Sequence, residues 1–233
     1  MAPVRSYTNW NCRENDAKEQ IEPYRKYFFI CEGANTETWY FRKLIDIRKS
    51  LNIHPLIDIR LLEKTDEDKD ISFPRKLIAF AESQKDNQEI AFDKERDKMI
   101  VVFDADIFET KVQDYDDVIA EGEKNNILAV SNPAFELFLL LHFENSYEQE
   151  ILPNQDKIIA NQKEGNQTFI YKLLLSKTGV NSKKNPQIGE LAEKVDIAIM
   201  QEKKMNEDIH NCKGKITCNI GKIIESIRMD KEI

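Results

Sequence analysis

The chain has 233 residues, of which 41% are hydrophobic and 33% are charged, and its formal net charge is -8. This composition is sufficient for one sizeable α/β domain and excludes a low-complexity chain. The chain has no apolar run of about 18 residues, which excludes a membrane-spanning helix. Because the N-terminus is polar, without an apolar signal region, we expect a cytoplasmic protein.

Apolar runs alternate with helical patterns through the first two thirds of the chain. Strands are predicted at Tyr27–Cys31, Pro55–Leu62, Met99–Phe103 and Ile127–Val130. Helices are predicted from about Asn35 to Ile47, from Pro74 to Gln84 and from Asp114 to Lys124, and an acidic loop at Glu63–Asp70. This fourfold alternation of strand and helix predicts a parallel sheet with helices on both faces.

A helix is predicted from Pro133 to Phe143, with Asn132 as its N-cap and Pro133 at its first position. Phe135, Leu139 and Phe143 are expected in the core, and His142 is expected to be a buried structural histidine. Beyond residue 147 the strand signals vanish, and helices are predicted at Phe169–Leu175, Pro186–Lys204 and Ile216–Ile227. The predicted organisation is a polar segment (1–23), an α/β core (24–147) and a helical extension packed on that core (148–233).

Acidic residues follow two of the predicted strands. Glu32 follows the first strand, and Asp104 and Asp106 follow the third. Ligands collect at the carboxyl ends of parallel strands, where these carboxylates form a hard-oxygen site suited to Mg²⁺ or Mn²⁺. Glu-Gly alone is common in turns and Asp-x-Asp alone often caps a helix. The two motifs together, at the ends of the first and third predicted strands, indicate a metal site more specifically than either motif alone.

Two further acids are candidates for the same site. Glu37 falls in the first turn of the helix after Glu32, where any acid complements the helix dipole, so structural and functional explanations are evenly balanced. Glu136 lies in an otherwise apolar helix, where an unpaired carboxylate is costly. A role for Glu136 as a ligand or buried hydrogen-bond acceptor is therefore favoured.

Three motifs together resemble the RloB/AbiLii family of Toprim-containing proteins from bacterial phage-defence loci. They are Cys31-Glu32-Gly33 with Thr36-Glu37 and Tyr40-Phe41, Phe103-Asp104-x-Asp106, and Ser131-Asn132-Pro133-x-Phe135-Glu136-Leu137 with Leu140-Leu141-His142-Phe143. The resemblance covers roughly residues 25–145. It implies a Toprim-like fold, with Glu32 as general acid/base or ligand and Asp104 and Asp106 as magnesium ligands.

The family is also similar to OLD-type nucleases, which have a second glutamate shortly after the first and acids after the fourth strand. Glu37, Ser131 and Glu136 occupy matching positions, although Glu37 follows Glu32 by five residues where the OLD pattern uses four. OLD-type enzymes also use a downstream lysine, for which the candidates are Lys157, Lys172, Lys183 and Lys184. Ser131, Asn132, Lys172 and Lys183 are the candidate substrate contacts.

The leading functional hypothesis is a magnesium-dependent nuclease of anti-phage defence that cleaves DNA or RNA. An ATPase partner is also expected, because members of the family are often encoded beside one and this chain has no GxxxxGK[ST] motif. The alternatives are nucleotidyl transfer and a non-catalytic or partner-activated metal-binding module of an ATPase-containing complex. The sequence leaves the choice of nucleic acid and the oligomeric state open.

Overall fold

The fold is described from a computed structural model, which describes residues 5–7, 23–64, 71, 73–110 and 113–230. Most of the predicted polar segment (1–4 and 8–22) and of the predicted acidic loop (65–70) lies outside these residues. The strands are β1 (Arg5–Tyr7), β2 (Arg25–Cys31), β3 (Ile57–Glu63), β4 (Lys98–Asp104), β5 (Ile127–Asn132), β6 (Lys163–Glu164), β7 (Gln167–Thr168) and β8 (Thr217–Cys218).

Six of these strands form one sheet in the order β1-β3-β2-β4-β5-β8. The central strands β3, β2, β4 and β5 are parallel, and both edge strands are antiparallel to their neighbours. Strands β6 and β7 form a separate hairpin. The predicted mixed α/β architecture is therefore confirmed, with a mostly parallel sheet.

Helices connect the strands and continue through the C-terminal third. The α-helices are α1 (Thr36–Asp46), α2 (Pro74–Gln84), α3 (Asp106–Thr110), α4 (Tyr115–Gly122), α5 (Glu136–Leu140), α6 (Gln155–Ile159), α7 (Phe169–Thr178), α8 (Val195–Glu202) and α9 (Ile220–Met229). A π-helical turn spans Tyr147–Ile151, and 3₁₀ segments span Leu152–Asn154, Pro186–Lys194 and Ile209–Asn211. Within the described ranges, no helix is long and apolar enough to cross a membrane.

The sheet is covered on both faces, as predicted. Successive residues of a strand point to opposite faces, so Phe29 enters one hydrophobic cluster and Phe28 enters the other. The first cluster contains α1, α5 and the C-terminal helices, and the second contains α2 and α4. His142 is fully buried in the first layer, where it contacts the Tyr40 hydroxyl (2.9 Å) and the Phe138 carbonyl (3.0 Å). The prediction of a structural core histidine is thus confirmed.

Two predictions about secondary structure outside the core were wrong. Residues 5–7, predicted to be irregular, pair with β3 as an edge strand. The C-terminal third, predicted to lack strands, contributes β8, in which Cys218 lies opposite Ser131 and Thr217 opposite Asn132. A two-residue strand has too few side chains to show an alternating pattern, and its formation depends on the partner edge.

The helix predicted from Pro133 is shorter than expected. Asn132 ends β5, its bond to Pro133 is cis, and α5 begins only at Glu136. Asn132 therefore caps no helix. Its amide instead donates to Glu109 Oε1 (2.8 Å) and to the Lys215 carbonyl (2.9 Å), so its polar group stabilises the strand end. Phe135 and Leu139 are buried as predicted, whereas Phe143 is partly buried against the same core.

Candidate functional site

The carboxyl ends of β2 and β4 bring Glu32 and Asp104 into contact. Cys31 lies opposite Val102 in the parallel register, so Glu32, just after β2, and Asp104, the last residue of β4, lie at the same edge of the sheet. The Asp104 N–H donates to Glu32 Oε2 at 3.1 Å. This bond fixes one Glu32 carboxylate oxygen against the backbone of the neighbouring strand end.

Glu37 reaches the same point from the first turn of α1. Its carboxylate lies against Gly33, so closely that a Cβ at residue 33 would overlap both carboxylate oxygens. Thr38 Oγ1 donates to the Gly33 carbonyl at 3.3 Å and ties the turn to the helix. A side chain at residue 33 would therefore displace the Glu37 carboxylate from its present position.

The fourth acid, Glu136, comes from the start of α5 and is only 7% exposed. It lines a cleft of about 310 Å³ together with the three acids above. We call this the carboxylate cleft, and its acidic residues are Glu32, Glu37, Asp104 and Glu136. Two strand ends, β2 and β4, and the starts of two helices, α1 and α5, thus converge on one small volume.

Burial and neighbouring charges raise the pKa values of Glu32, Glu37 and Asp104. Burial raises the pKa of Glu32 to about 7, an increase to which the Glu37 charge adds and which the Asp104 N–H opposes. Burial likewise raises the pKa of Glu37 to about 6, with the Glu136 charge adding to the effect. The pKa of Asp104 is raised well above its usual value by burial and then by the charges of Glu37 and Glu32. The cleft therefore concentrates negative charge that is poorly solvated.

The acids of the carboxylate cleft form no ion pair with Lys, Arg or His in the part of the chain that the structure describes, although the charges of Lys64 and Lys183 act on them from nearby. In the same residues, no three His, Cys, Asp or Glu side chains are placed to bind one metal ion by themselves. Mg²⁺ in proteins is usually held by one or two carboxylates, with water and phosphate oxygens as its other ligands. The cleft offers only oxygen donors, so it fits a Mg²⁺ ion held by one or two carboxylates and completed by water and phosphate oxygens.

Asp106 is oriented differently from Asp104. If the chain stayed extended after β4, two acids two residues apart would point the same way. In the structure Asp106 is instead the first residue of α3 and does not line the carboxylate cleft. Its Oδ2 accepts a hydrogen bond from Asn161 Nδ2 at 3.0 Å. A metal-binding or catalytic role for Asp106 stays a prediction.

The candidate substrate contacts are placed very differently from one another. Ser131 and Asn132 are 0% exposed, so a direct contact with substrate would require the site to open. Lys172 is on α7, where its ammonium lies 3.4 Å from Glu164. Lys183 lines the carboxylate cleft, and the Lys183 carbonyl accepts a bond from Asn35 Nδ2 at 3.0 Å. Of these four residues, the structure brings Lys183 to the acids.

Sequence reasoning missed Lys64, which follows β3. Ile30 lies opposite Leu62, and two residues further along this register Lys64 is beside Glu32. The Lys64 ammonium donates to the Glu32 carbonyl and, at 2.8 Å, to the Ile71 carbonyl. Its charge also lowers the pKa of Glu32. The sequence signal was a lysine at a strand end, but it could be recognised only once β3 was known to neighbour β2.

Comparison with known proteins identifies one family. A family model described as RloB-like protein matches residues 27–227, which include both the strand-end acids and the C-terminal helices. Neither a search of curated proteins nor a search of solved structures found a match.

Proposed function

This chain belongs to the RloB-like protein family, and we propose that it is a magnesium-dependent nuclease of bacterial anti-phage defence. The observation that carries the proposal is the carboxylate cleft itself. Four buried or half-buried acids meet at the carboxyl edge of a parallel sheet, and none of them forms an ion pair with a described residue. A divalent cation is the partner that such a set requires.

A divalent cation bound in the cleft supplies stabilisation of negative charge on a phosphoryl group and a nucleophile at neutral pH. The residues of the chain determine where that chemistry can occur. Asp104 presents both a carboxylate and an N–H, and the N–H orients Glu32. Glu32, oriented by that N–H at the strand end, is placed to accept a proton from the attacking group.

We further propose that the sheet is Toprim-like, because a glutamate follows β2 and an Asp-x-Asp pair follows β4. The substrate would be DNA or RNA, and the ATPase expected as a partner would supply the nucleotide-driven step for which this chain has no motif. A cytoplasmic location is part of the same proposal.

The test is cleavage of single- and double-stranded DNA and RNA by purified protein, in Mg²⁺ or Mn²⁺ and in EDTA. It is repeated with the ATPase partner added. The diagnostic variant is Asp104→Asn, with Asp117→Asn on the exposed face of α4 as the matched control. We expect cleavage that depends on metal, disappears in Asp104→Asn and persists in Asp117→Asn. Cleavage that persists in Asp104→Asn would contradict the proposal. Metal binding without cleavage, both with and without the ATPase partner, would favour a regulatory module.

A further inference from the structure

The chain is acidic as a whole, but one segment has the opposite charge. Residues 155–185 contain six lysines and two acids, in a chain whose formal net charge is -8. The segment comprises α6, the β6–β7 hairpin, α7 and the loop that follows. Such a local reversal of charge requires an explanation other than solubility, which the net charge already provides.

Four described lysines of the C-terminal third form ion pairs with acids, two of them outside the 155–185 segment. Lys203 lies 2.7 Å from Glu225, and Lys204 contacts Glu148. Eight other described lysines of this third are exposed and form no ion pair with any described residue, and four of the eight fall within the 155–185 segment. We call these four the lysine saddle: Lys157, Lys163, Lys183 and Lys184.

Two ammonium groups of the lysine saddle are held over aromatic rings. The Lys157 Nζ lies 5.2 Å from the ring centre of Phe169, and the Lys183 Nζ lies 5.8 Å from that of Tyr171. Both rings belong to the first turn of α7. Cation–π contact restrains a flexible lysine side chain, so these charges are partly ordered before any ligand binds.

The same segment is attached to α3 at one point and to the carboxylate cleft at another. Near one end, Asn161 Nδ2 donates to Asp106 Oδ2 at 3.0 Å. Near the other, Thr36 Oγ1 donates to the Ser182 carbonyl at 3.0 Å, and Lys183 lines the cleft. Lys183 therefore lies beside the acids, and the segment that carries the other three lysines is anchored to α3 and α1 around the cleft.

We propose that the lysine saddle binds the phosphate backbone of a nucleic-acid strand and directs a phosphodiester into the carboxylate cleft. This inference rests on the proposed nuclease function and names the surface that holds the substrate. The cleft and the net charge repel a polyanion, and the unpaired ammonium groups of the lysine saddle offset that repulsion. Tyr171 is buried and Phe169 is partly buried beneath Lys157, so neither ring is available as a platform for base stacking. Recognition is therefore of the backbone and is independent of base sequence.

Binding is measured by fluorescence anisotropy of labelled single-stranded DNA and RNA of mixed sequence, in EDTA so that no cleavage occurs. The diagnostic variant is Lys157→Gln/Lys183→Gln. The control is Lys98→Gln/Lys124→Gln, which removes two exposed lysines that likewise form no ion pair with any described residue; Lys98 is at the amino end of β4, on the sheet edge opposite the cleft. Thermal midpoints of all proteins show whether the fold is retained.

We expect the diagnostic variant to bind both nucleic acids about tenfold more weakly at low salt. Each phosphate contact that is removed lowers the slope of log affinity against log salt by roughly 0.7–0.9, so the loss of two contacts lowers it by roughly 1.5. The control should bind like wild type, and Lys157→Arg/Lys183→Arg should retain affinity because the charge is kept. Equal losses in the diagnostic and control variants, or no binding by wild type, would overturn the proposal.

The cleavage assay separates this inference from the proposed function. Weakened binding in the diagnostic variant, with no cleavage by any protein, would support the lysine saddle while the nuclease proposal fails. Cleavage by wild type with unchanged binding and cleavage in the diagnostic variant would leave the nuclease proposal standing and refute the lysine saddle.

Discussion

Replacing Glu32 by Gln should stabilise the metal-free protein at alkaline pH. Gln keeps the shape of Glu and an oxygen that can accept the Asp104 N–H, but it carries no charge. Because burial and the neighbouring charges disfavour the ionised form of Glu32, removing that charge relieves a cost that wild type bears. If Glu32 only shaped the turn after β2, the substitution would change little.

The magnitude follows from the pKa of Glu32, which rises from 4.5 to about 7. Each pKa unit corresponds to about 1.36 kcal/mol, so full ionisation of Glu32 costs the folded state about 3 kcal/mol. Below pH 4.5 the carboxyl is protonated in both the folded and unfolded states and costs nothing. Between pH 4.5 and 7 the unfolded state releases its proton first, so wild type loses stability relative to Glu32→Gln as pH rises.

The assay is thermal unfolding in EDTA at pH values from 4.5 to 8, with Glu89→Gln on the surface as a control. For a chain of this size, 3 kcal/mol corresponds to a Tm of Glu32→Gln that is roughly 6–12 °C above that of wild type at pH 8. Near pH 4.5 this gap between the two Tm values should disappear. Adding Mn²⁺ should narrow the gap, because metal binding stabilises wild type more than the variant. A gap that is the same at both ends of the pH range, or a less stable variant at pH 8, would refute the reasoning.

Two glycine substitutions test close contacts at separate places. Gly33→Ala should displace the Glu37 carboxylate and weaken Mn²⁺ binding about 10–100-fold with little change in Tm, as measured by calorimetry beside Ala34→Ser. Affinity equal to wild type would show that Glu37 does not contribute to metal binding. Gly189→Ala would place a Cβ 2.5 Å from the Trp39 carbonyl oxygen of α1, a backbone contact that cannot move cheaply. It should destabilise the protein by about 1–3 kcal/mol in denaturant unfolding, and a loss no greater than that of Glu190→Ala would contradict this packing.

The sequence predicted the four central strands to within about two residues at each end, and helix α2 at Pro74–Gln84 as the structure has it. Buried parallel strands are continuous apolar runs, so β2 and β4 stand out from the charged segments around them. The strand ends in turn predicted where the acids lie, because parallel strands present their carboxyl ends at one edge.

Features that depend on tertiary contacts could not be predicted in this way. The direction of the Asp106 side chain depends on whether the chain remains extended after Asp104 or turns at once into α3. The position of Lys64 beside Glu32 depends on the strand order, which local periodicity does not encode. The pairing of β8 with β5 joins residues that are far apart in sequence, and a two-residue strand has no pattern of its own.

The most direct test of the central claim is titration of Mn²⁺ into wild type, Asp104→Asn and Asp117→Asn by isothermal calorimetry. If the carboxylate cleft is a divalent-metal site, wild type and Asp117→Asn should bind Mn²⁺ with the same affinity. Asp104→Asn should bind it at least tenfold more weakly, because Asp104 faces the charges of both Glu37 and Glu32. Equal binding by all three proteins, or no binding by wild type, would contradict the claim.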